Sequence, residues 1–188
     1  MAVPANITAL NLNGKFQMNK SLSDSPDDML SAQGVGWIKR KAMGAATITV
    51  TLTHSKDASG MENLSLVQVV SGGDPAEPEE KVFDWVERKK EIKLFGPCVT
   101  KSKRVSLDEV QEPFLKEGWS ADTLEHGCIL VHLANEGKNG WKTEQTWGIG
   151  EVNGERRHVR RICLTGSKGE KLHNRIVYDY REYSFIEP

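Results

Sequence analysis

The sequence has no apolar run of about 18 residues, so it offers no candidate transmembrane helix. It has no charge excess either: 25 basic and 26 acidic side chains leave a net charge of −1, where a dedicated nucleic-acid binder would carry a basic surplus. Cysteine is scarce, and Cys98, Cys128 and Cys163 stand far apart with no CxxC. They read as reduced thiols of a cytoplasmic protein, not as a disulfide framework or a zinc site. The sequons at Asn6 and Asn63 are therefore expected to carry no sugar. The opening MAVPANITALNLNG lacks the charged and apolar regions of a secretory signal. The five histidines show no HExxH and no ligand spacing, so they read as structural or solvent-facing, and no metal and no cofactor are expected. The glycine-bearing GIGEVNG (148–154) lies in a hairpin with no helix after it, which rejects a dinucleotide loop. The one basic cluster, RRHVRR (156–161), is explained about as well by a solvated strand face as by a phosphate site.

What the chain does contain is alternation. ATITVTLTH (46–54) and NLSLVQVVSGG (63–73) have the period-two, β-branched pattern of half-buried strands. KVFDWVERKKEIKLF (81–95) reads as one long strand, and GPCVTKSKRVSL (96–107) as the next, after a Gly-Pro break. From Gly127 on, GCILVHLANE, WKTEQTWGIGEV, ERRHVRRICLTG and EKLHNRIVYDYREYSF are separated by Gly-Lys-Asn-Gly, Asn-Gly and Ser-Lys-Gly turns, a meander of antiparallel hairpins. The stretch 106–126 reads as an insertion with a short helical turn near Pro113–Glu117. Ser25-Pro26-Asp27-Asp28 is a helix start, with Ser25 or Asp24 as cap, proline at N1 and acids in the first turn. The expected fold is mainly β: a single domain over 1–188, a closed antiparallel up-and-down barrel of about ten strands, with a helix-turn-helix lid at about 25–43 between strands one and two. Closure removes the edges of so long a meander, and a barrel of that size holds one small ligand.

The segment Gly14-Lys15-Phe16, then Asp27-Asp28-Met29-Leu30, Gly34-Val35-Gly36-Trp37 and Arg40-Lys41 resembles the N-terminal signature of the intracellular fatty-acid-binding proteins, members of the calycin superfamily. The resemblance is specific over this third of the chain and topological over the rest, which looks like a fungal lipocalin-like member. It implies an internal cavity for a hydrophobic small molecule and an Arg-x-Tyr anchor on the final strand, here Arg181 and Tyr183. Residues two apart share a strand face, so Asp179 and Val177 would point inward with them; an alternative register presents Arg175 with Val177. Asp179 would then lie within roughly 7 Å of Arg181, pairing with it and repelling a fatty-acid carboxylate. The trio is either a polar network closing a barrel end or a ligand anchor. Trp141, Thr143, Gln145 and Trp147 share another face, as core or as cavity lining. Met29, Leu30, Val35, Trp37 and Ile38 cap the barrel, with Met29 and Trp37 also candidates to meet a ligand at a portal jointed at Gly34 and Gly36.

Two functions follow. One is a carrier that binds a lipid or specialised metabolite in the barrel. The alternative is a cofactor-independent cyclase of the Diels–Alder or hetero-Diels–Alder kind, by analogy with fungal calycin-type barrels. It would use the same cavity, with Arg181 and Tyr183 polarising a carbonyl and Asp179 moving a proton as catalytic residues.

Overall fold

A computed structural model describes residues 1–137 and 140–181. They form one ten-stranded antiparallel sheet with two short helices after its first strand. The order is β1 (Gly14–Met18), α1 (Asp27–Ala32), α2 (Trp37–Ala45), β2 (Ile48–Lys56), β3 (Glu62–Val70), β4 (Glu79–Val82), β5 (Arg88–Ile92), β6 (Gly96–Val105), α3 (Ala121–His126), β7 (Cys128–Asn135), β8 (Lys142–Val152), β9 (Glu155–Thr165) and β10 (Lys171–Arg181). Each strand pairs with its chain neighbours, except that β1 pairs with β10 and β4 does not pair with β5.

The hydrogen-bonded ladder therefore has two ends, β4 and β5, although they are consecutive in the chain. The sheet curls strongly enough to bring β4 against β6, one strand in from the other end. Ser102 Oγ on β6 donates to Val82 O at 3.0 Å, and Trp85 N donates to Ser102 O at 3.0 Å. The expected single strand over 81–95 is thus two strands with a bend between them. Trp85 has φ of 61°, which no strand residue tolerates. Arg88 grips Asp84 across the bend, with Nη2 to Oδ2 at 2.6 Å.

The pleat gives the sheet two unequal faces. Inside, Phe16, Val50, Leu52, Leu64, Leu66, Ile129, Val131, Trp147, Ile149 and Tyr178 form one apolar cluster, and Val3, Ile7 and Leu12 of the N-terminal segment join it. Strands as distant in order as β2 and β8 meet there, which requires a strongly curled sheet. Outside, the insertion covers β6–β10. Val110, Leu115 and Phe114 pack on Val105, Cys128, Leu130 and Cys163, and Trp119 packs on Val152, Val159 and Val177. The insertion contains a 3-10 turn over Pro113–Lys116, at the expected position, and α3, which its mixed composition concealed.

The glycines of Gly148-Ile149-Gly150 now have a reason. A Cβ on Gly148 would meet Thr123 Cγ2 at 2.9 Å, and one on Gly150 would meet Gly118 O at 2.9 Å. Their bareness lets the insertion lie directly on β8, where Thr146 Oγ1 donates to Leu115 O at 2.8 Å and Thr123 Oγ1 to Ile149 O at 2.9 Å. At the start of α1 the N-cap position is occupied by Pro26 itself. Asp24 is engaged elsewhere, accepting from Arg175 N at 2.7 Å. Among the described residues no helix is long and apolar enough to cross a membrane.

Candidate functional site

Register decides which residues of the last strand look inward. Phe16 lies opposite Tyr180 and Met18 opposite Tyr178, whereas Lys15 faces Arg181 and Gln17 faces Asp179. Phe16 belongs to the inner cluster, so Ile176, Tyr178 and Tyr180 point inward and Val177, Asp179 and Arg181 point outward. The expected inward set is therefore displaced by one residue, a shift that exchanges the two faces of a strand. Outside, Asp179 pairs with the Arg157 guanidinium, accepts from Asn19 Nδ2 at 3.0 Å and faces the N-terminal ammonium at 3.3 Å. Arg181 Nε donates to Gln17 Oε1 at 2.8 Å, and Val177 is core beneath Trp119. Tyr183 lies outside the described residues. Arg175, of the alternative register, also faces outward, where its guanidinium donates to Leu22 O at 3.1 Å.

The basic cluster of β9 supplies what the last strand does not. It is no solvated face, because Arg160 is 8% and Arg161 6% exposed, and His158 is fully buried. Arg161 looks outward and donates to Phe114 O of the insertion at 3.1 Å. Arg160 looks inward. Its guanidinium lies 3.8 Å from the centroid of the Trp147 ring and 5.1 Å from that of Tyr178. A delocalised cation on an aromatic face gains an attraction that grows as water is excluded. Arg160 Nε points at His158 Nε2, 3.5 Å away, while His158 Nδ1 is 3.2 Å from Gly148 O. A carbonyl can only accept, so Nδ1 carries the imidazole proton and Nε2 is left as an acceptor toward the arginine. Burial, and secondly the charge of Arg160, hold the His158 pKa well below its ordinary value, so the ring stays neutral. Arg160 Nη2 is buried and has no hydrogen-bond partner among the described residues.

A second cation reaches the same ring from the far side of the curled sheet. Lys81 Nζ on β4 lies 5.1 Å from the Trp147 centroid and 2.7 Å from Glu79 Oε1, with Lys90 Nζ 3.6 Å from Glu79 Oε2. Burial pulls the Glu79 carboxyl up. Lys81, Lys90 and Arg160 outweigh it and leave the carboxyl below the usual range. Burial also lowers Lys81, which Glu79 only partly offsets. Around Trp147 the described residues thus place an ion pair whose lysine is buried, a neutral imidazole and a guanidinium whose Nη2 has no partner.

Trp147 is held from its other edge, where Nε1 donates to Gln145 Oε1 at 3.1 Å and Gln145 Nε2 donates to Thr143 Oγ1 at 3.0 Å. Trp141, just before β8, packs with Met29 of α1, Cys98 and Leu164, and its buried indole N–H is also without a partner among the described residues. Six residues of strand place it roughly 20 Å from Trp147. Met29 thus faces the interior, whereas Trp37 is 63% and Ile38 76% exposed on α2, away from the rest of the site. Sequence reasoning missed Arg160, His158, Glu79 and Lys81. The available signal was parity: on β9 the inward residues His158, Arg160, Ile162 and Leu164 alternate with the outward ones.

No family model matches the chain. Its fold is that of Echinococcus granulosus fatty-acid-binding protein 1 (TM-score 0.52, 10% identity, 91% of this chain and 98% of that one). It is also that of the fluorescent protein UnaG (TM-score 0.53, 12% identity, 90% and 97% of the two chains). Two curated relatives are closer in sequence. Over 95% of the chain it is 33% identical to the probable pericyclase scpY of Mollisia scopiformis, covering 94% of that protein. Over 96% it is 30% identical to the pericyclase pydY of an Acremonium species, covering 97%. On that likeness, across nearly the whole length of both, the chain belongs to the pericyclase family that contains scpY and pydY, built on the fatty-acid-binding-protein fold.

Proposed function

We propose that this chain is a cofactor-independent pericyclase, which folds an acyclic, largely apolar substrate inside the curled sheet and accelerates its ring closure. The observation that carries the reading is the buried, unpartnered Nη2 of Arg160, held against Trp147 and Tyr178. A pericyclic step transfers no proton and no electron to the protein, so it needs a shape and a polariser rather than a base or a redox group. A carbonyl conjugated to the reacting double bond gathers negative charge as the bonds form. An arginine N–H aimed at that oxygen stabilises the transition state more than the ground state, and such a donor contributes roughly 3–4 kcal/mol. His158 and Trp147 fix the plane of the guanidinium before substrate arrives. Holding diene and partner in contact can supply up to about 7–11 kcal/mol more. In this reading the seam between β4 and β6 and the α1–α2 pair close the space, Met29 and Trp141 meet the substrate's far end, and the protein works in the cytoplasm.

The test is turnover on a synthetic linear polyene bearing a conjugated carbonyl, scored for rate and stereoisomer ratio against the spontaneous reaction. Arg160→Met is expected to lower kcat/KM by about 10²–10³ with substrate affinity changed far less. Asp179→Asn, on the outer face, is expected to leave turnover unchanged. The carrier reading is favoured by the likeness to fatty-acid-binding protein 1. Saturable binding with no acceleration of any such substrate would select it.

A further inference from the structure

On the outer face, a groove of about 530 Å³ runs over β6–β9 beside the insertion, lined in part by Lys101, Glu112, His132, Glu144, Cys163 and Lys171. At one end of it Glu112, Cys163 and His173 each turn a donor atom toward the others, all within 4.8 Å. Cys163 on β9 and His173 on β10 are register partners, so the pleat puts them side by side. Glu112 comes from the insertion, just before the 3-10 turn.

The three side chains are held in orientation by others. Phe114 stacks on the His173 ring, centroids 4.5 Å apart and planes at 9°. Lys171 Nζ holds Glu112 Oε2 at 2.6 Å, which leaves Oε1 directed at His173 Nε2, 3.2 Å away. Cys163 is buried against Val110, Leu115 and Phe114. Ligand atoms on a tetrahedral zinc lie roughly 3.3–3.8 Å apart, given bond lengths near 2.0–2.3 Å. The Glu112–His173 contact already has about that span.

We infer that Glu112, Cys163 and His173 form a binding site for one divalent cation of borderline softness, zinc being the type, with the groove supplying the fourth position. Thiolate, imidazole and carboxylate together are a donor set that zinc accepts and that magnesium or calcium does not. Binding replaces the thiol proton, which leaves to solvent, and also the direct contact between His173 Nε2 and Glu112 Oε1. Lys171 then acts from behind the carboxylate, as the partners of metal ligands commonly do. The ion would clip the insertion to the β9–β10 hairpin and so tighten the wall that carries Arg160 on its other side. This inference does not depend on the pericyclase reading.

The experiment is a titration of the chelator-treated full chain with Co²⁺, followed by displacement with Zn²⁺. One equivalent of Co²⁺ should produce a thiolate-to-cobalt charge-transfer band and raise Tm. Cys163→Ser should abolish the band, and His173→Ala should weaken binding about tenfold or more. Absence of the band at one equivalent, or its persistence in Cys163→Ser, overturns the site. Should Cys163→Ser fail to fold, Glu112→Gln and His173→Ala decide the matter, because Co²⁺ affinity unchanged in both overturns it as well.

Discussion

Inside the curled sheet, charge is tolerated only where each group has been given something to face. Lys81 has Glu79, and Arg160 has two rings and a neutral imidazole. Removing one partner of a buried pair leaves the other stranded, at about 3–5 kcal/mol. Glu79 keeps 30% of its side chain exposed while Lys81 is buried, so Glu79→Gln should cost less than that, about 1–3 kcal/mol, and the double change Glu79→Gln with Lys81→Met should recover most of it; urea midpoints compare the two. His158 predicts a pH effect whose sign is fixed. Its folded pKa is depressed, so between that value and 6.5 the unfolded chain binds more protons, and stability falls as pH drops below about 6.5. His54, also depressed, acts in the same direction. Glu79, likewise depressed, loses its contribution only at lower pH, as the pH falls through its folded value. His158→Gln should remove about 1 kcal/mol of the stability difference between pH 7 and pH 5.5, read from urea melts at both. The residues that make this site were in plain view in RRHVRR. Composition, however, says how many arginines there are and not which face each takes. Arg160 and Arg161 are adjacent, equally buried and on opposite sides of the sheet.

Elements were more legible than their faces. The Asn153-Gly154 turn has both residues at positive φ, 53° and 76°, as a two-residue hairpin needs, and β8 and β9 follow from it. The Arg-x-Tyr pattern put Arg181 inward, and the register with β1 turns it outward. The alternation of Ile176, Tyr178 and Tyr180 carried the register, but Val177 and Asp179 fit an inward strand equally well until Phe16 fixes the pairing. The break in 81–95 depends on a backbone angle at Trp85, and alternation cannot signal it. Gly148-Ile149-Gly150, already rejected as a dinucleotide loop, marks a close approach between two layers. Gly150→Ala should cost about 1–3 kcal/mol by pressing on Val159 and the Gly118 carbonyl, seen as a lower urea midpoint with unchanged m. By contrast Trp37→Ser and Ile38→Ser, on the exposed side of α2, should move stability by no more than about 0.5 kcal/mol.

Across the whole molecule the sheet is covered unevenly. Strands β7–β10 carry the inner cluster on one face and the insertion on the other, whereas β4 and β5 end the ladder with one hydrogen-bonded neighbour each. Amide hydrogen exchange should follow this division, slowest in β8 and β9 and faster by orders of magnitude in β4 and β5. The insertion was visible in the sequence as extra length, but nothing there said which surface it would cover. Its position gives the molecule a stiff half and a compliant half. Arg160, Trp147 and Tyr178 all stand on the stiff half, while Glu79 and Lys81 approach from the compliant one. A reaction that turns a long chain into a compact ring changes the volume its host must hold. In the proposed reaction the less covered side would follow that change of shape while the side holding Arg160 keeps its aim. A substrate would thus be shaped between an anvil and a cushion.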